Sequence, residues 1–314
     1  MSKVTIIGAG NVGATIAYSL AIKTIASEIV LIDINKDKAE GEAVDISQGL
    51  PFCGPVKIHQ GEYEDAIGSD IVVITSGIPR KAGQSRLDLT KVNVEVMKDI
   101  IPRITSSAPH AIYIMVSNPV DILTYVMNKY SDIPEERIIG TGTLLDTARL
   151  QTGLANSLDI NVENIHAYVF GEHGDTAFIP WSIANLSGVS LNEYKNSLSQ
   201  NHKKNITFDK EAMEEYVRTS GAYIIQRKGA TFNGIAMSVT HICKCILRSI
   251  DTIMPVSSMM HGEYGVEDVC LSILSTVGRS GISSKVLAPI NDEEVAKLQA
   301  SADSLKKVIK DVGI

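Results

Sequence analysis

The stretch VTIIGAGNVGATIAYSL, residues 4–20, decides the fold of this protein. It opens with a short apolar run, turns through GAGNVG at residues 8–13, and continues as a helical pattern. In such a turn the first glycine permits the tight bend, the second lets the backbone approach a pyrophosphate, and the third allows close helix–strand packing. The unpaired N–H groups at the start of the helix favour an anion. The stretch therefore predicts a dinucleotide site formed by Gly8, Gly10, Asn11, Val12 and Gly13.

An acidic residue supports this interpretation. Asp33 follows Gly13 by 20 residues and ends a second apolar run that begins at Glu28. A carboxylate there accepts hydrogen bonds from a ribose diol and repels a 2′-phosphate, so we predict NAD rather than NADP. The alternative is a glycine-rich turn without a ligand, with Asp33 acting as a helix cap.

The rest of the first half repeats the alternation of apolar runs and helical segments. Further apolar runs lie at residues 70–75, 111–116 and 138–140, and a charged helical pattern covers about 36–48. Continuous apolar runs are typical of strands that are buried on both faces of a parallel sheet. We therefore expect an α/β fold in which residues 1–143 form a doubly wound parallel sheet of the Rossmann type.

After about residue 145 the pattern changes. Apolar runs near residues 165–170 and 177–184 suggest short strands, and residues 251–288 resemble antiparallel strands joined by glycine turns. Helical patterns cover about 144–157, 209–228, 231–250 and 291–311. Gly229 either separates the middle pair or kinks one long helix. We expect a C-terminal mixed α+β substrate domain over residues 144–314, packed against the first domain because no linker or repeat intervenes.

The composition excludes several classes of protein. With 29 basic and 36 acidic residues the net charge is −7, which argues against a broad nucleic-acid-binding face. No apolar run approaches the roughly 18 residues of a membrane span. The chain enters a strand-like segment almost at once, so we expect no signal peptide. The four cysteines form no CxxC pair, and we therefore expect reduced thiols, no metal site and a cytoplasmic location.

A second chemical signal is GEHGD at residues 171–175. A single histidine is usually a packed or surface residue, but glycines and carboxylates surround His173. Upstream, Asp146 and Arg149 stand three residues apart in a helical pattern, so they share a helix face and can point into one pocket. An intrahelical ion pair is the alternative for these two residues.

Four segments together are far more specific than any one of them. They are GAGNVG at 8–13, VSNPVDILTY at 116–125, GTGTLLDTAR at 140–149 and GEHGD at 171–175. With these segments the chain resembles the L-lactate/L-malate dehydrogenase superfamily, from its first strand to its last helix. The resemblance implies an NAD-dependent dehydrogenase that transfers a hydride between NADH and a small 2-keto acid.

The resemblance also implies roles for individual residues. His173 is the expected general acid/base, Asp146 holds its imidazole, and Arg86 polarises the substrate carbonyl. Arg149 is expected to bind the substrate carboxylate through two parallel hydrogen bonds. Residues 77–86 are expected to form a lid that excludes water. The further positions implied are Thr75, Ser76, Gly77 and Val116 for the cofactor, Thr231 for the substrate, and Asn118 for both.

The choice of substrate depends on Arg80, six residues before Arg86. In the family, lactate-specific members usually have glutamine at this position and malate-specific members have arginine. A guanidinium can pair with the second carboxylate of oxaloacetate, whereas over the methyl group of pyruvate it would be desolvated and unpaired. We therefore predict a lactate dehydrogenase-like scaffold that accepts oxaloacetate. A preference for pyruvate despite Arg80 is the alternative, because segments such as KGAT at 228–231 are closer to bacterial L-lactate dehydrogenases.

The resemblance also bears on regulation. Members activated by fructose bisphosphate carry an arginine two residues after the carboxylate-binding arginine and a histidine seven residues before the catalytic one. Here His166 fills the second position, but Gln151 stands at the first. Without that fixed charge, activation by the sugar phosphate is expected to be weak or absent.

Assembly is predicted by analogy alone. We expect a homotetramer, with the helix that carries residues 38–48 and the helix after Asp209 at subunit interfaces. Ala39, Ala43 and Val44 share a helix face that packs either against a partner or against the sheet.

Overall fold

The structure is a computed structural model that describes residues 2–78, 86–191, 193–194, 196 and 209–314. Its first half alternates strands and helices. The strands are β1 (Lys3–Ile7), β2 (Glu28–Ile32), β3 (Lys57–Gln60), β4 (Ile71–Ile74), β5 (Ile112–Met115) and β6 (Ile138–Gly140). The helices are α1 (Asn11–Ile22), α2 (Lys36–Gly49), α3 (Arg86–Ser107) and α4 (Val120–Tyr130).

The second half begins with α5 (Leu144–Leu158) and a small sheet of β7 (Ile165–His166), β8 (Asn185–Leu186) and β9 (Val189–Ser190). Two helices follow, α6 (Lys210–Lys228) and α7 (Asn233–Leu247). Three antiparallel strands come next, β10 (Thr252–His261), β11 (Glu267–Gly278) and β12 (Gly281–Lys285), and α8 (Asp292–Val312) is the last helix.

The strands of the first half form a parallel sheet in the order β3-β2-β1-β4-β5-β6. Strand β1 pairs with β2 on one side and with β4 on the other, so the strand order reverses beside it. At such a point a crevice opens beyond the carboxyl ends of the strands. The predicted doubly wound α/β fold is confirmed.

The sheet continues from the first half of the chain into the second. Ser257 of β10 pairs with Gly140 of β6 in antiparallel orientation, and β11 and β12 extend the sheet to nine strands. A Cβ on Gly140 would lie 2.8 Å from the Cβ of Ser257, so glycine permits this close approach. The predicted antiparallel segment at 251–288 is confirmed, and one sheet joins the two halves.

Burial explains why the strands read as continuous apolar runs. Neighbouring residues of β1 face opposite sides of the sheet, and Ile6 and Ile7 are 0% and 2% exposed. Ile6 packs in a cluster with residues of α1 and α7, whereas Ile7 packs in a cluster with residues of α3, α4 and α8. Each such side chain contributes roughly 1.5–3 kcal/mol through burial.

Some local predictions change. The strand expected near 177–184 is wrong: Phe178 makes a single bridge to Phe170, and β8 begins only at Asn185. Pro180 lies two residues after Phe178, and it has no N–H with which to continue a ladder. Gly229 ends α6 with φ +83°, so α6 and α7 are separate helices. The sequence pattern identified neither the edge strand β3, in which Ile58 is the buried residue, nor α3.

The open question about α2 is also answered. Ala39 and Ala43 are buried against the sheet, in a cluster with Ile29 and Leu31, whereas Val44 is 47% exposed. Only Val44 of the three is therefore available to a partner. Among the residues that the structure describes, no helix is both long and apolar enough to cross a membrane.

Candidate active site

The glycine turn lies at the carboxyl end of β1 and leads into α1. Gly8 has φ +104°, and a Cβ there would lie 2.7 Å from Thr75 Oγ1. A Cβ on Gly13 would lie 1.8 Å from the Gly8 carbonyl oxygen, so neither position accommodates a side chain. At Gly10, by contrast, a Cβ would meet nothing within 4 Å. The base of the turn is closed and its rim is open, which fits a pyrophosphate at the N-terminus of α1.

Asp33 reaches this turn from the end of β2. Its Oδ2 accepts a hydrogen bond from Ala9 N at 2.6 Å, and its Oδ1 accepts one from Asn35 N at 2.9 Å. The N-cap of α2 is Asn35, whose side chain accepts from Lys38 N. The alternative in which Asp33 caps the helix is therefore wrong, and its half-buried carboxylate lies beside the glycine turn.

The segments after β4 and β5 adjoin the turn. Thr75 Oγ1 donates to the Gly8 carbonyl at 2.9 Å, and Ser117 Oγ donates to the Ser76 carbonyl at 2.6 Å. Gly77 is exposed beyond them, and Val116 is buried at the end of β5. The predicted cofactor positions after β1, β2, β4 and β5 thus lie along one edge of the sheet.

Asn93, a residue that the sequence pattern did not identify, joins two of these segments. It lies on α3 and is 2% exposed. Its Oδ1 accepts from Ile78 N at 2.8 Å, and its Nδ2 donates to the Asn118 carbonyl at 2.8 Å. Asn118 precedes a cis peptide bond to Pro119. A polar residue on the buried face of α3 was the available signal, but it is visible only once that helix is recognised.

Asp146 connects His173, a predicted catalytic residue, with Arg149, a predicted substrate-binding residue. Its Oδ2 lies 2.5 Å from His173 Nδ1, and its Oδ1 accepts from Arg149 Nη1 at 2.7 Å. The carboxylate lies in the first turn of α5, where a helix favours negative charge. The pair Asp146–Arg149 is therefore an intrahelical ion pair and, through the second oxygen, also a partner of the histidine.

The charges of Arg149, Asp146 and His173 oppose the effect of burial on the pKa values of Asp146 and His173. The side chain of Asp146 is 8% exposed and that of His173 is 29% exposed. Burial disfavours the Asp146 carboxylate, but His173 and Arg149 outweigh it and lower its pKa. Burial likewise disfavours the imidazolium, but Asp146 outweighs it and raises the pKa of His173. Asp146 is thus held as a carboxylate, and the charged form of His173 is stabilised.

Three different elements hold the loop that carries His173. Gly171 exchanges backbone hydrogen bonds with Ser272 of β11, and Glu172 N donates to Ser301 Oγ of α8 at 2.9 Å. The backbone N–H of His173 donates to Asp121 Oδ2 of α4 at 2.7 Å. Asp121 lies within the VSNPVDILTY segment, but nothing in its sequence position indicated this contact.

One cavity of about 410 Å³ brings the substrate-side residues together. Its walls include Asn118, Asp146, Arg149, His173 and Thr231. Asn118 therefore belongs both to the cofactor edge of the sheet and to this cavity. Leu89 and Thr90 of α3 also line it, so the helix that follows the predicted lid forms part of its wall.

Two predicted residues lie wholly or partly outside the description. Arg80 is outside the described residues, as are residues 79–85 of the predicted lid. Arg86 is the first residue of α3, but its side chain is not described. Their roles, and the closure of a lid, stay predictions.

The two residues that bear on sugar phosphate activation are close neighbours in the fold. Gln151 Nε2 donates to the Ala167 carbonyl at 3.2 Å, directly beside His166. The side chain of His166 is exposed on β7. The neutral amide of Gln151 thus contacts the backbone of the residue that follows His166, and it occupies the position where the family pattern has a guanidinium.

Comparison with known proteins agrees with this geometry. Residues 2–140 match the family described as lactate/malate dehydrogenase, NAD binding domain. Residues 143–313 match the family described as lactate/malate dehydrogenase, alpha/beta C-terminal domain. The L-lactate dehydrogenase of Thermoanaerobacterium saccharolyticum is 47% identical over 315 residues, which cover 100% of both chains.

Solved structures agree as well. A lactate dehydrogenase enzyme from a Medee basin deep-sea metagenome library superposes with a TM-score of 0.94 at 36% identity, covering 100% of this chain and 99% of that one. The minor L-lactate dehydrogenase of Enterococcus mundtii gives a TM-score of 0.93 at 36% identity, with the same coverage. With both halves matched and the dinucleotide edge adjoining the histidine cavity, the chain belongs to the lactate/malate dehydrogenase family and is an NAD-dependent dehydrogenase.

Proposed function

We propose that this enzyme interconverts pyruvate and L-lactate. The observation that carries the proposal is the hydrogen-bonded trio Arg149–Asp146–His173 in one cavity with Asn118 and Thr231. The name of the Thermoanaerobacterium saccharolyticum relative, L-lactate dehydrogenase, supports the choice of substrate.

The roles follow from the chemistry of the trio. Because Asp146 occupies Nδ1 of His173, Nε2 is the nitrogen left to give a proton to the substrate oxygen during keto reduction and to take it back during oxidation. The planar guanidinium of Arg149 offers paired N–H groups to the substrate carboxylate. Arg86 is assigned to polarise the carbonyl as negative charge develops on its oxygen.

NAD, when bound, supplies or accepts the hydride. We assign its pyrophosphate to the open rim at Gly10 and the first turn of α1, and its ribose diol to Asp33. The residues proposed to hold the cofactor are Gly8, Gly10, Asn11, Val12, Gly13, Asp33, Thr75, Ser76, Gly77, Val116 and Asn118.

Oxaloacetate is the second candidate substrate, and Arg80 is the observation that favours it. A guanidinium at this position of the predicted lid can pair with a second carboxylate, whereas over a methyl group it would lack a partner. Thr231 is compatible with either substrate.

The test compares kcat/KM for pyruvate and oxaloacetate from the loss of NADH absorbance. The variant Arg80→Gln is compared with Arg103→Gln, which removes an exposed arginine from the same region of the chain, on α3. A higher kcat/KM for pyruvate than for oxaloacetate in the wild type supports lactate dehydrogenase activity. A higher kcat/KM for oxaloacetate favours the second candidate. Arg80→Gln is expected to move the ratio towards pyruvate. An unchanged ratio would remove Arg80 from specificity, and no NADH oxidation with either acid would refute the proposed function.

We further propose a homotetramer and a division into domains at residues 143 and 144. Large apolar side chains are exposed on α1, α2 and α6, namely Tyr18, Ile22, Val44, Tyr216 and Tyr223. These side chains are exposed in the single chain and are therefore available to a partner subunit. Analytical ultracentrifugation tests the assembly, and a monomer or a dimer at micromolar concentration would contradict it.

A further inference from the structure

We propose that Asp121 is a positioning residue for His173, a second buried carboxylate that anchors the backbone of the histidine and whose negative charge favours the imidazolium. The proposal rests on the proposed role of His173 as the acid/base. Asp121 itself is not among the residues that line the described cavity, so it acts through His173.

The geometry places the carboxylate behind the histidine. Asp121 lies in the first turn of α4, is 3% exposed, and accepts from the His173 backbone N–H at 2.7 Å. Its other oxygen, Oδ1, is buried and has no hydrogen-bond partner among the described residues. The buried hydroxyl of Ser257 lies close enough to the carboxylate to favour its charge, but the two groups do not meet in normal hydrogen-bond geometry. A carboxylate in this position is costly, so its charge requires an explanation.

Anchoring alone does not explain the charge. The neighbouring amides of the same loop are held by neutral acceptors, since Gly171 N donates to the Ser272 carbonyl and Glu172 N donates to Ser301 Oγ. A serine or asparagine would serve the His173 amide equally well as a hydrogen-bond acceptor. Asp121, which accepts from the His173 amide, differs from the other two acceptors, the Ser272 carbonyl and the Ser301 hydroxyl, because it is ionisable.

The balance of charge at the site supplies the explanation. Asp146 is already paired with Arg149, so these two residues together carry no net charge next to the imidazole. Asp146 favours the protonated form of His173, but Arg149 opposes it, so the pair neutralises the charge of the imidazolium only in part. Asp121 provides the missing negative charge, and the four groups together become neutral when the imidazole is protonated.

The groups that face Asp121 and His173 act in both directions on the two pKa values. Burial raises the pKa of Asp121 to about 6, against the opposing effects of the Ser257 hydroxyl and His173, and the charge of Glu172 adds to the rise. At neutral pH most of this carboxylate is therefore ionised. For His173, burial lowers the pKa, but Asp146 and then Asp121 raise it, and Arg149 opposes them. The balance favours the imidazolium.

The decisive variant is Asp121→Asn, which keeps an oxygen to accept the His173 amide but removes the charge. The matched control is Ser301→Ala, which removes the neighbouring anchor of the loop without changing any charge. The imidazole of His173 is titrated by NMR in the free enzyme. The pH dependence of kcat/KM is then measured for both keto reduction and hydroxy-acid oxidation, and melting temperatures identify any loss of folding.

Asp121→Asn is expected to lower the pKa of His173 by roughly one unit. Keto reduction needs the protonated imidazole, so well above its pKa the rate should fall about tenfold. Oxidation needs the neutral imidazole, so its rate should rise at pH values below the pKa of His173 but above about 6, where Asp121 is still ionised. At lower pH the wild type and the variant should converge, because Asp121 is then protonated. Ser301→Ala should leave the pKa of His173 unchanged, and the pH dependence of kcat/KM should be unchanged for both reduction and oxidation. This holds even if the substitution lowers the melting temperature.

An unchanged pKa of His173 in Asp121→Asn would overturn the proposal. Equal losses of kcat/KM for reduction and for oxidation, with no change in their pH dependence, would also overturn it, because a merely structural role produces that pattern. If the wild type oxidises NADH with neither pyruvate nor oxaloacetate, the proposed function fails, while the NMR titration still decides the influence of Asp121. If Asp121→Asn does not fold, the same titration of Asp121→Glu, which keeps the charge, should give the wild-type pKa, and a lowered value would refute the idea.

Discussion

Asn93 donates a hydrogen bond from Nδ2 to the backbone carbonyl of Asn118 at 2.8 Å. The same side chain accepts from Ile78 N, so one buried amide holds the segment after β4 against the segment after β5. Asn118 belongs both to the proposed cofactor site and to the cavity that His173 lines. The relative position of these two parts of the site therefore depends on a residue of α3.

Replacing Asn93→Ala is expected to lower the free energy of unfolding by about 1–3 kcal/mol, because the Ile78 amide and the Asn118 carbonyl lose a buried partner. It should also reduce kcat/KM, since Asn118 is no longer held. Urea unfolding and steady-state kinetics measure the two effects. Asn164→Ala, which removes an exposed asparagine from the turn before β7, is the control and should change stability by less than about 0.5 kcal/mol. Equal effects of the two substitutions would argue against the bridging role.

The rate of keto reduction is expected to decline as pH rises through the pKa of His173. Burial disfavours the imidazolium, but Asp146 raises this pKa above its usual value, so the decline should come at higher pH than for a free histidine. Asp146→Asn should move this limb to lower pH and lower kcat on the order of 10²-fold. If the decline of the reduction rate occurs at the same pH in this variant as in the wild type, a group other than His173 controls it.

Linkage gives the same pair of residues opposite effects on stability. The raised pKa of His173 contributes stability that is complete below its unfolded value, about 6.5, and is lost as pH rises through the folded value. The lowered pKa of Asp146 contributes stability above its unfolded value, about 3.9, which is lost as pH falls through the folded value. Melting temperatures across this range should therefore fall at both ends, and less steeply in Asp146→Asn.

Two glycines of the same turn should respond differently to alanine. A Cβ on Gly13 meets the Gly8 carbonyl oxygen at 1.8 Å, so Gly13→Ala is expected to cost about 1–3 kcal/mol of stability. A Cβ on Gly10 meets no protein atom within 4 Å, so Gly10→Ala should change stability by less than about 1 kcal/mol. Gly10→Ala should nevertheless weaken NADH binding, because the methyl group occupies the open rim. Calorimetric titration with NADH tests this, and unchanged affinity would place the pyrophosphate elsewhere.

Fructose bisphosphate is expected to activate the enzyme weakly or not at all. Gln151 lies beside His166 and provides a neutral amide where a fixed positive charge would bind a phosphate. Gln151→Arg should therefore raise the response of kcat/KM to the sugar phosphate, and Gln151→Met, which removes the amide without adding charge, is the control. Strong activation of the wild type at micromolar concentrations would refute the prediction.

Several parts of the fold and site could be predicted from sequence because their signals are local. Strands such as β1 and β4 are buried on both faces, so they appear as continuous apolar runs. The glycine turn with Asp33 is a motif of fixed spacing within one β-α-β unit. The spacing of Asp146 and Arg149 follows from the helical repeat, and the pairing observed within α5 agrees with it. The net charge of −7 argued against a broad nucleic-acid-binding face, and that stays a prediction.

Tertiary structure decided what no local pattern contains. Asp121 and His173 are 52 residues apart, and their contact depends on how α4 packs beneath the loop at residues 171–175. Asn93 bridges two segments that meet only because β4 and β5 are neighbours in the sheet. The apolar residues near Phe178 are buried without forming a strand, since packing needs only that side chains be covered, not that the backbone be paired. Sequence by itself determined the periodic elements and the residue types of the site, and long-range packing determined which buried polar groups hold them in place, because such groups take their partners from whichever element lies opposite.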